Sequence, residues 1–167
     1  NCSNLKTVKI LENSIFQKIG ACSFSGCYNL QTIEISNNSR IDSIGDSAFD
    51  STNIKTFKIP EHLDQKYNCS FLINTTHLVS IEVSPFNKHY LFFDEKMLLY
   101  KENEKSSTFD TIVFARRDID SIIIPPYIKR IGSYAFYKCS NLRSIKFSNN
   151  SELEIIYKYS FEHTKII

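Results

Sequence analysis

The chain has 167 residues, with 20 basic and 18 acidic side chains, a formal net charge of +2, 13 Phe, 9 Tyr and only four Gly. That charge balance gives no dominant field for nucleic acid or an anionic membrane, and the aromatic content excludes a disordered chain. No apolar run approaches the roughly 18 residues needed to span a bilayer, and the length suits one domain.

In chain order, the first element is the run Leu5-Lys-Thr-Val8-Lys-Ile10, whose alternation is that of a half-buried strand. The pattern returns as Leu30-Gln-Thr-Ile33-Glu-Ile35, Ile54-Lys-Thr-Phe57-Lys-Ile59 and Leu78-Val-Ser-Ile81-Glu-Val83, at steps of 25, 24 and 24 residues. The next copy, Ile119-Asp-Ser-Ile122-Ile-Ile124, lies 41 residues beyond Leu78; Leu142 then follows at 23 and Ile166 at 24. A period in this range is that of leucine-rich repeats.

A second motif falls between these runs. Phe16-Gln-Lys-Ile19-Gly20 reappears as Ile41-Asp-Ser-Ile44-Gly45 and Ile128-Lys-Arg-Ile131-Gly132, and in degenerate form as Leu153-Glu-Ile-Ile156-Tyr157. Four residues after each comes a phenylalanine, at Phe24, Phe49, Phe136 and Phe161, with Phe71 in the same slot of a drifted copy. These rings are expected to stack as an internal spine opposite the strands. The glycines are expected to supply a turn that a side chain would hinder, and Tyr157 in their place predicts a different bend in the last repeat. Pro60 and Pro125 are expected to end their strands, since proline cannot donate to a continuing ladder.

The long step after Leu78 marks an insertion spanning residues 90–117. Its apolar runs Met97–Tyr100 and Thr111–Ala115 flank a polar stretch, Lys101 to Thr108, and read as a β-hairpin. The predicted fold is therefore an α/β solenoid, a right-handed superhelix with a short parallel β-sheet on its concave face, irregular or short helical connections opposite, and one hairpin insertion. Residues 1–167 read as a single repeat array. Both ends cut through repeats without a polar cap, so the array is expected to be an excerpt of a longer one, and the lack of a signal or anchor in this segment is uninformative.

The stretch Ile128-Lys-Arg-Ile131-Gly132-Ser-Tyr-Ala-Phe136-Tyr-Lys-Cys139-Ser-Asn-Leu142-Arg-Ser-Ile145 resembles the repeat of the BspA-like leucine-rich repeat proteins, found on the surfaces of anaerobic bacteria and expanded in parasitic protists. The Pro85-Phe-Asn87-Lys-His-Tyr90 stretch before the insertion fits the same family. The resemblance covers essentially the whole chain. It implies a leucine-rich repeat fold, cell-surface or secreted localisation, and adhesion to host-cell or extracellular-matrix proteins as a surface antigen would show it.

Residue by residue, chemistry is scarce. His62, His77, His89 and His163 show neither metal-ligand spacing nor a partner nucleophile, and no catalytic motif or phosphate loop is present. No catalytic residue, metal or cofactor is predicted. The repeat register accounts for the five cysteines as small buried residues; Cys2 and Cys27, in adjacent turns, are within reach of a bridge, whereas Cys22 and Cys69 are two turns apart.

The outward strand positions are the candidate binding residues. One column reads Thr7, Thr32, Thr56, Ser80, Ser121, Ser144, all hydroxyls; the next reads Lys9, Glu34, Lys58, Glu82, Ile123, Lys146. Such columns stabilise a sheet, and they also form the extended surface by which solenoids bind. A second candidate is the insertion, where Lys96, Lys101, Lys105, Arg116 and Arg117 stand among Phe92, Phe93, Tyr100 and Phe109. Its aromatics are expected to cover the solenoid edge, with its charges in solvent. N-x-S/T sequons occur at Asn1, Asn37, Asn68, Asn74 and Asn149; Asn37 and Asn149, in polar loops after strands, are the candidate glycosylation sites. The reading is a non-enzymatic protein-binding module with no nucleic-acid partner and no membrane insertion by this segment; the alternative is an architectural spacer within a longer surface protein.

Overall fold

A computed structural model describes residues 2–66 and 69–166 of the chain. Residues 1–65 and 70–88 form one compact unit, and residues 66–69 and 89–167 a second.

The first unit is a stack of β-solenoid turns. It contains β1 (Thr7–Ile10), β2 (Lys18–Ile19), β3 (Thr32–Ile35), β4 (Ser43–Ile44), β5 (Thr56–Ile59), a three-residue 3-10 turn (Ser70–Leu72) and β6 (Ser80–Val83). Alternation decides the facing: Ile33 and Ile35, Phe57 and Ile59 are buried while Thr32, Glu34 and Thr56 are exposed. β1 pairs with β3 and β5 with β6, parallel and in repeat register, Val8 opposite Ile33 and Phe57 opposite Ile81. The continuous sheet expected from the repeat is thus resolved into two-stranded ladders. The break between β3 and β5 falls where Phe57 replaces the smaller aliphatic residue of the neighbouring strand. Its ring sits between Phe49 and Phe71, at centroid distances of 5.4 and 5.6 Å, and demands more room than isoleucine.

The α/β character expected of the connections is not found. Among the described residues the only helical element is the Ser70–Leu72 turn. The reason lies in the backbone around each repeat phenylalanine. Two residues before it the chain is left-handed at Cys22, Ser47, Tyr134 and Tyr159, and two residues after it at Gly26, Ser51, Lys138 and His163, with φ between 54° and 70°. A right-handed helix cannot include two such residues four apart.

The repeat glycines do not supply these positions. Gly45 is required for close approach instead: a Cβ there would lie 2.2 Å from the Ala21 backbone nitrogen of the preceding turn. At Gly20 a Cβ would meet only the Ser23 hydroxyl, at 3.3 Å. Nor does Tyr157 mark a different bend. Its amide donates to Ile131 O at 2.9 Å, as Gly132 does to Ile112 O at 2.7 Å and Gly45 to Ile19 O at 2.8 Å.

The motif that carries those glycines forms a second, lateral ladder in which β2 pairs with β4, Ile19 opposite Ile44. In the drifted copy, Gln65 takes the place of a strand. Its side-chain amide donates to Ile44 O at 2.7 Å and accepts from Ile44 N at 3.3 Å, satisfying the edge of β4.

The second unit contains β7 (Tyr90–Phe93), β8 (Met97–Tyr100), β9 (Thr111–Ala115), β10 (Ser121–Ile124), β11 (Arg130–Ile131), β12 (Ser144–Phe147) and β13 (Ile155–Ile156). β10 and β12 form the parallel strand pair. The predicted hairpin is present as β8 and β9, antiparallel, and β7 extends it to a meander. β9 also pairs in parallel with β11, Ile112 opposite Ile131, so the lateral ladder and the meander make one five-stranded sheet, β13-β11-β9-β8-β7. Part of the 90–117 segment is therefore repeat: β9 is the lateral strand of the turn that leads to β10. The link from Ile112 to Ile119 is four residues shorter than its counterpart from Ile131 to Leu142, and it lacks the repeat phenylalanine.

The aromatic spine exists within each unit. Phe24 stacks on Phe49 at 5.6 Å and 3°, and Phe136 on Phe161 at 5.0 Å and 18°. Burying each fully enclosed ring contributes about 1.5–3 kcal/mol.

Candidate binding surface

In the first unit the strands bring six of the predicted residues to one open trough of about 730 Å³: Lys9, Thr32, Glu34, Thr56, Lys58 and Glu82. Parallel pairing sets the columns, with Lys9 opposite Glu34 and Lys58 opposite Glu82. Lys9 Nζ meets Glu34 Oε2 at 2.9 Å, each side chain more than half exposed, so the pair contributes no more than about 1 kcal/mol. Lys58 and Glu82 stand in register but are not joined as an ion pair, which leaves both charges available to a partner. Thr7 and Ser80 hold their places in the hydroxyl column, opposite Thr32 and Thr56, outside the trough lining.

The strand columns do not account for the whole trough. Gln31 and Lys55, each just before its strand, and Asn37 and Glu12 also line it. Ladder bonding continues through that preceding position, where Gln31 N donates to Lys6 O at 3.0 Å and Val79 N to Lys55 O at 3.0 Å. The signal was available as a third repeat column, Lys6, Gln31, Lys55 and Val79.

Ser144 and Lys146 belong to the second unit, opposite Ser121 and Ile123. Ile123 is 66% exposed, and it replaces the polar column with an apolar step.

In the insertion, most cations are held by the chain itself. Lys101 donates to Ser106 O at 2.6 Å and lies 4.7 Å from the Phe109 ring centroid. Arg116 forms two hydrogen bonds to the Asp118 carboxylate, at 2.6 and 2.9 Å; they raise the arginine pKa and hold the carboxyl below its usual value. Lys105 stays exposed.

Arg117 overturns the expectation of solvated charges. It is 4% exposed, donates to Ala135 O at 3.0 Å, lies 3.8 Å from Cys139 Sγ, and covers the Phe114 ring at 4.3 Å. Its Nε has no partner. Burial lowers the guanidinium pKa and raises those of Cys139 and Cys69, the neighbouring charge opposing each shift in part. The side chain is enclosed because the shortened link leaves this turn without its phenylalanine.

All five cysteines are free, so the Cys2–Cys27 bridge is not formed; Cys27, Cys69 and Cys139 are buried while Cys2 and Cys22 are exposed, against the register expectation for those two. Among the described residues no group of three or more His, Cys, Asp or Glu is placed to hold a metal ion, and no helix is long and apolar enough to cross a membrane. Asn37 and Asn149 are exposed in turns that follow β3 and β12. The Asn74 amide instead donates to Ser51 Oγ at 2.7 Å, and Asn1 and Asn68 lie outside the described residues.

Two solved structures share this architecture. A leucine-rich cell surface protein from Faecalibacterium prausnitzii superposes with a TM-score of 0.70 at 23% identity, over 90% of this chain and 37% of its own. The pneumococcal vaccine antigen PcpA gives 0.72 at 20% identity, over 91% of this chain and 39% of its own. The chain thus spans well under half the length of either. No curated protein sequence matches it. The repeat family described as BspA type Leucine rich repeat region (6 copies) matches residues 1–99 and 101–167. By that match over nearly its whole length, the chain belongs to the BspA-type leucine-rich repeat family.

Proposed function

We propose that this chain is part of a non-enzymatic cell-surface or secreted protein whose first-unit trough binds an exposed protein, host-cell or extracellular-matrix in origin. The observation that carries the reading is the trough itself: six repeat-encoded polar residues on adjacent strands, with Lys58 and Glu82 uncommitted. A solenoid binds through such columns because each turn adds one residue of fixed spacing, about 4.8 Å from the last where strands pair. The family and the surface proteins of similar fold support the location, and no step of chemistry is asked of the site.

The test is capture of host-cell surface and matrix proteins by the recombinant chain, beside a variant carrying Lys9→Glu and Lys58→Glu. Retained protein should fall several-fold with the variant while its circular dichroism is unchanged; equal capture by both would overturn the reading. Lys146→Glu, in the second unit, tests separately whether that unit's own strand positions bind.

An architectural spacer is the second reading, favoured by one observation: Lys9 and Glu34 are consumed by each other, as sheet stabilisation alone would require. Replacement of the segment by unrelated repeats without loss of adhesion would favour it.

A further inference from the structure

We propose that Asn37 and Asn149 are acceptors of N-linked glycans and that a glycan on Asn37 stands over the trough, so that occupancy of Asn37 regulates access to it. The inference rests on the reading of the chain as part of a surface protein, made along a secretory route that carries lipid-linked oligosaccharide.

The two sites are the same device placed twice. Each belongs to a Ser-Asn-Asn-Ser turn directly after a strand, closed by Ser39 N donating to Ser36 O at 3.1 Å and by Ser151 N donating to Ser148 O at 3.0 Å. Both asparagines are exposed, and neither side-chain amide is engaged by a described residue. Asn74 differs on both counts. It is half-buried, its φ is 59°, and its amide is committed to Ser51 of the preceding turn, so a sugar there would break a turn-to-turn bond.

In the transfer, the Asn37 amide nitrogen bonds to the anomeric carbon of the first sugar. The bond from that carbon to the lipid diphosphate breaks, the diphosphate leaves with the electron pair, and one amide proton passes to a base. Ser39 is fully buried and its Oγ accepts from Ile41 N at 3.3 Å, so transfer to Asn37 precedes closure of its turn, and the exposed asparagine leaves room for the glycan in the folded chain. Ser151 Oγ likewise accepts from Leu153 N at 3.3 Å but stays exposed, so Asn149 remains open to transfer after its turn has closed.

The consequence differs between the sites. Asn37 lines the trough together with Lys9, Lys55 and Lys58, so a branched sugar rooted there stands in its mouth. Asn149 belongs to the second unit and not to the lining of the trough.

The chain is produced by secretion from a eukaryotic cell line, alongside its Asn37→Gln variant. Peptide mapping after enzymatic glycan release gives the occupancy of each site, and the acylation rate of Lys55 and Lys58 by a small amine-reactive probe reports access to the trough. The expected result is occupancy of Asn37 and Asn149 with Asn74 bare, and acylation slowed several-fold by the Asn37 glycan but restored by its removal or by Asn37→Gln. An empty Asn37, an occupied Asn74 in the folded chain, or acylation indifferent to the glycan would overturn it. Because no protein ligand enters the measurement, failure of the adhesion reading leaves this result legible.

Discussion

The two units solve the same stacking problem with different regularity. In the first, turns of 24 or 25 residues keep every strand residue in register, and the polar columns face outward. In the second, a link four residues short follows a three-stranded meander, and the missing phenylalanine is answered by a buried arginine. Regularity thus keeps the strand charges at the surface, whereas the irregular link draws one inward.

The sharpest way to break this comparison is through the spine that both units share. Phe49→Ala removes a ring flanked by Phe24 and Phe57, and Phe136→Ala one stacked on Phe161. Each should cost about 3–5 kcal/mol in urea unfolding followed by tyrosine fluorescence. A markedly smaller loss at Phe136 would mean that the meander, more than the repeat core, holds the second unit.

Next in size are the glycines. Gly45→Ala forces a Cβ against the Ala21 backbone, where no rotamer can give way, and should cost about 1–3 kcal/mol. Gly20→Ala meets only a serine hydroxyl and should stay within about 0.5 kcal/mol of the parent. Equal effects in thermal melts would return the glycines to a common turn role.

These contrasts show how far the sequence speaks. The strand faces and the rings were legible because Leu5, Leu30, Ile54 and Leu78 carry one period, and because apolar alternation encodes burial directly. The trough columns were legible by the same rule. The lateral ladder was not, since a strand of two residues such as Ser43–Ile44 has no alternation to read. β7 was hidden by its turn: Asp94 and Glu95 have φ of 51° and 50°, the signs of a type I′ turn, without the glycine that normally announces one. Arg117 was misread because composition places arginine in solvent. Only the short link, visible once β9 and β11 are aligned, shows that it has no way out.

A smaller effect should come from that arginine, and with the opposite sign. Arg117→Met removes a buried cation with an unsatisfied Nε while keeping most of its volume. The acceptor it leaves is not orphaned, because Ala135 O still receives Ala115 N at 2.8 Å. Replacing a buried charge by a packed apolar side chain is often neutral or stabilising, here by up to about 1–2 kcal/mol. Arg117→Ala, which empties the space, should destabilise instead. A loss with methionine as large as with alanine, measured by urea midpoint, would show that the charge itself holds the short link.

The smallest effect tests the trough. Lys9 and Glu34 are exposed and paired, so a double-mutant cycle to alanine should return about 0.2–1 kcal/mol of coupling, weakening with added salt. Lys58 and Glu82 continue the same column on β5 and β6 without an ion pair, and their cycle should return nothing measurable. The two pairs hold equivalent strand positions, with Lys58 half-buried where Lys9 is exposed, and each cycle cancels its own single-mutant effects. If the second pair couples as strongly as the first, the charged column is spent on the sheet and offers no free charge. If only the first couples, the cost of separating Lys58 from Glu82 on binding is already absent, and a partner meets them ready to pair.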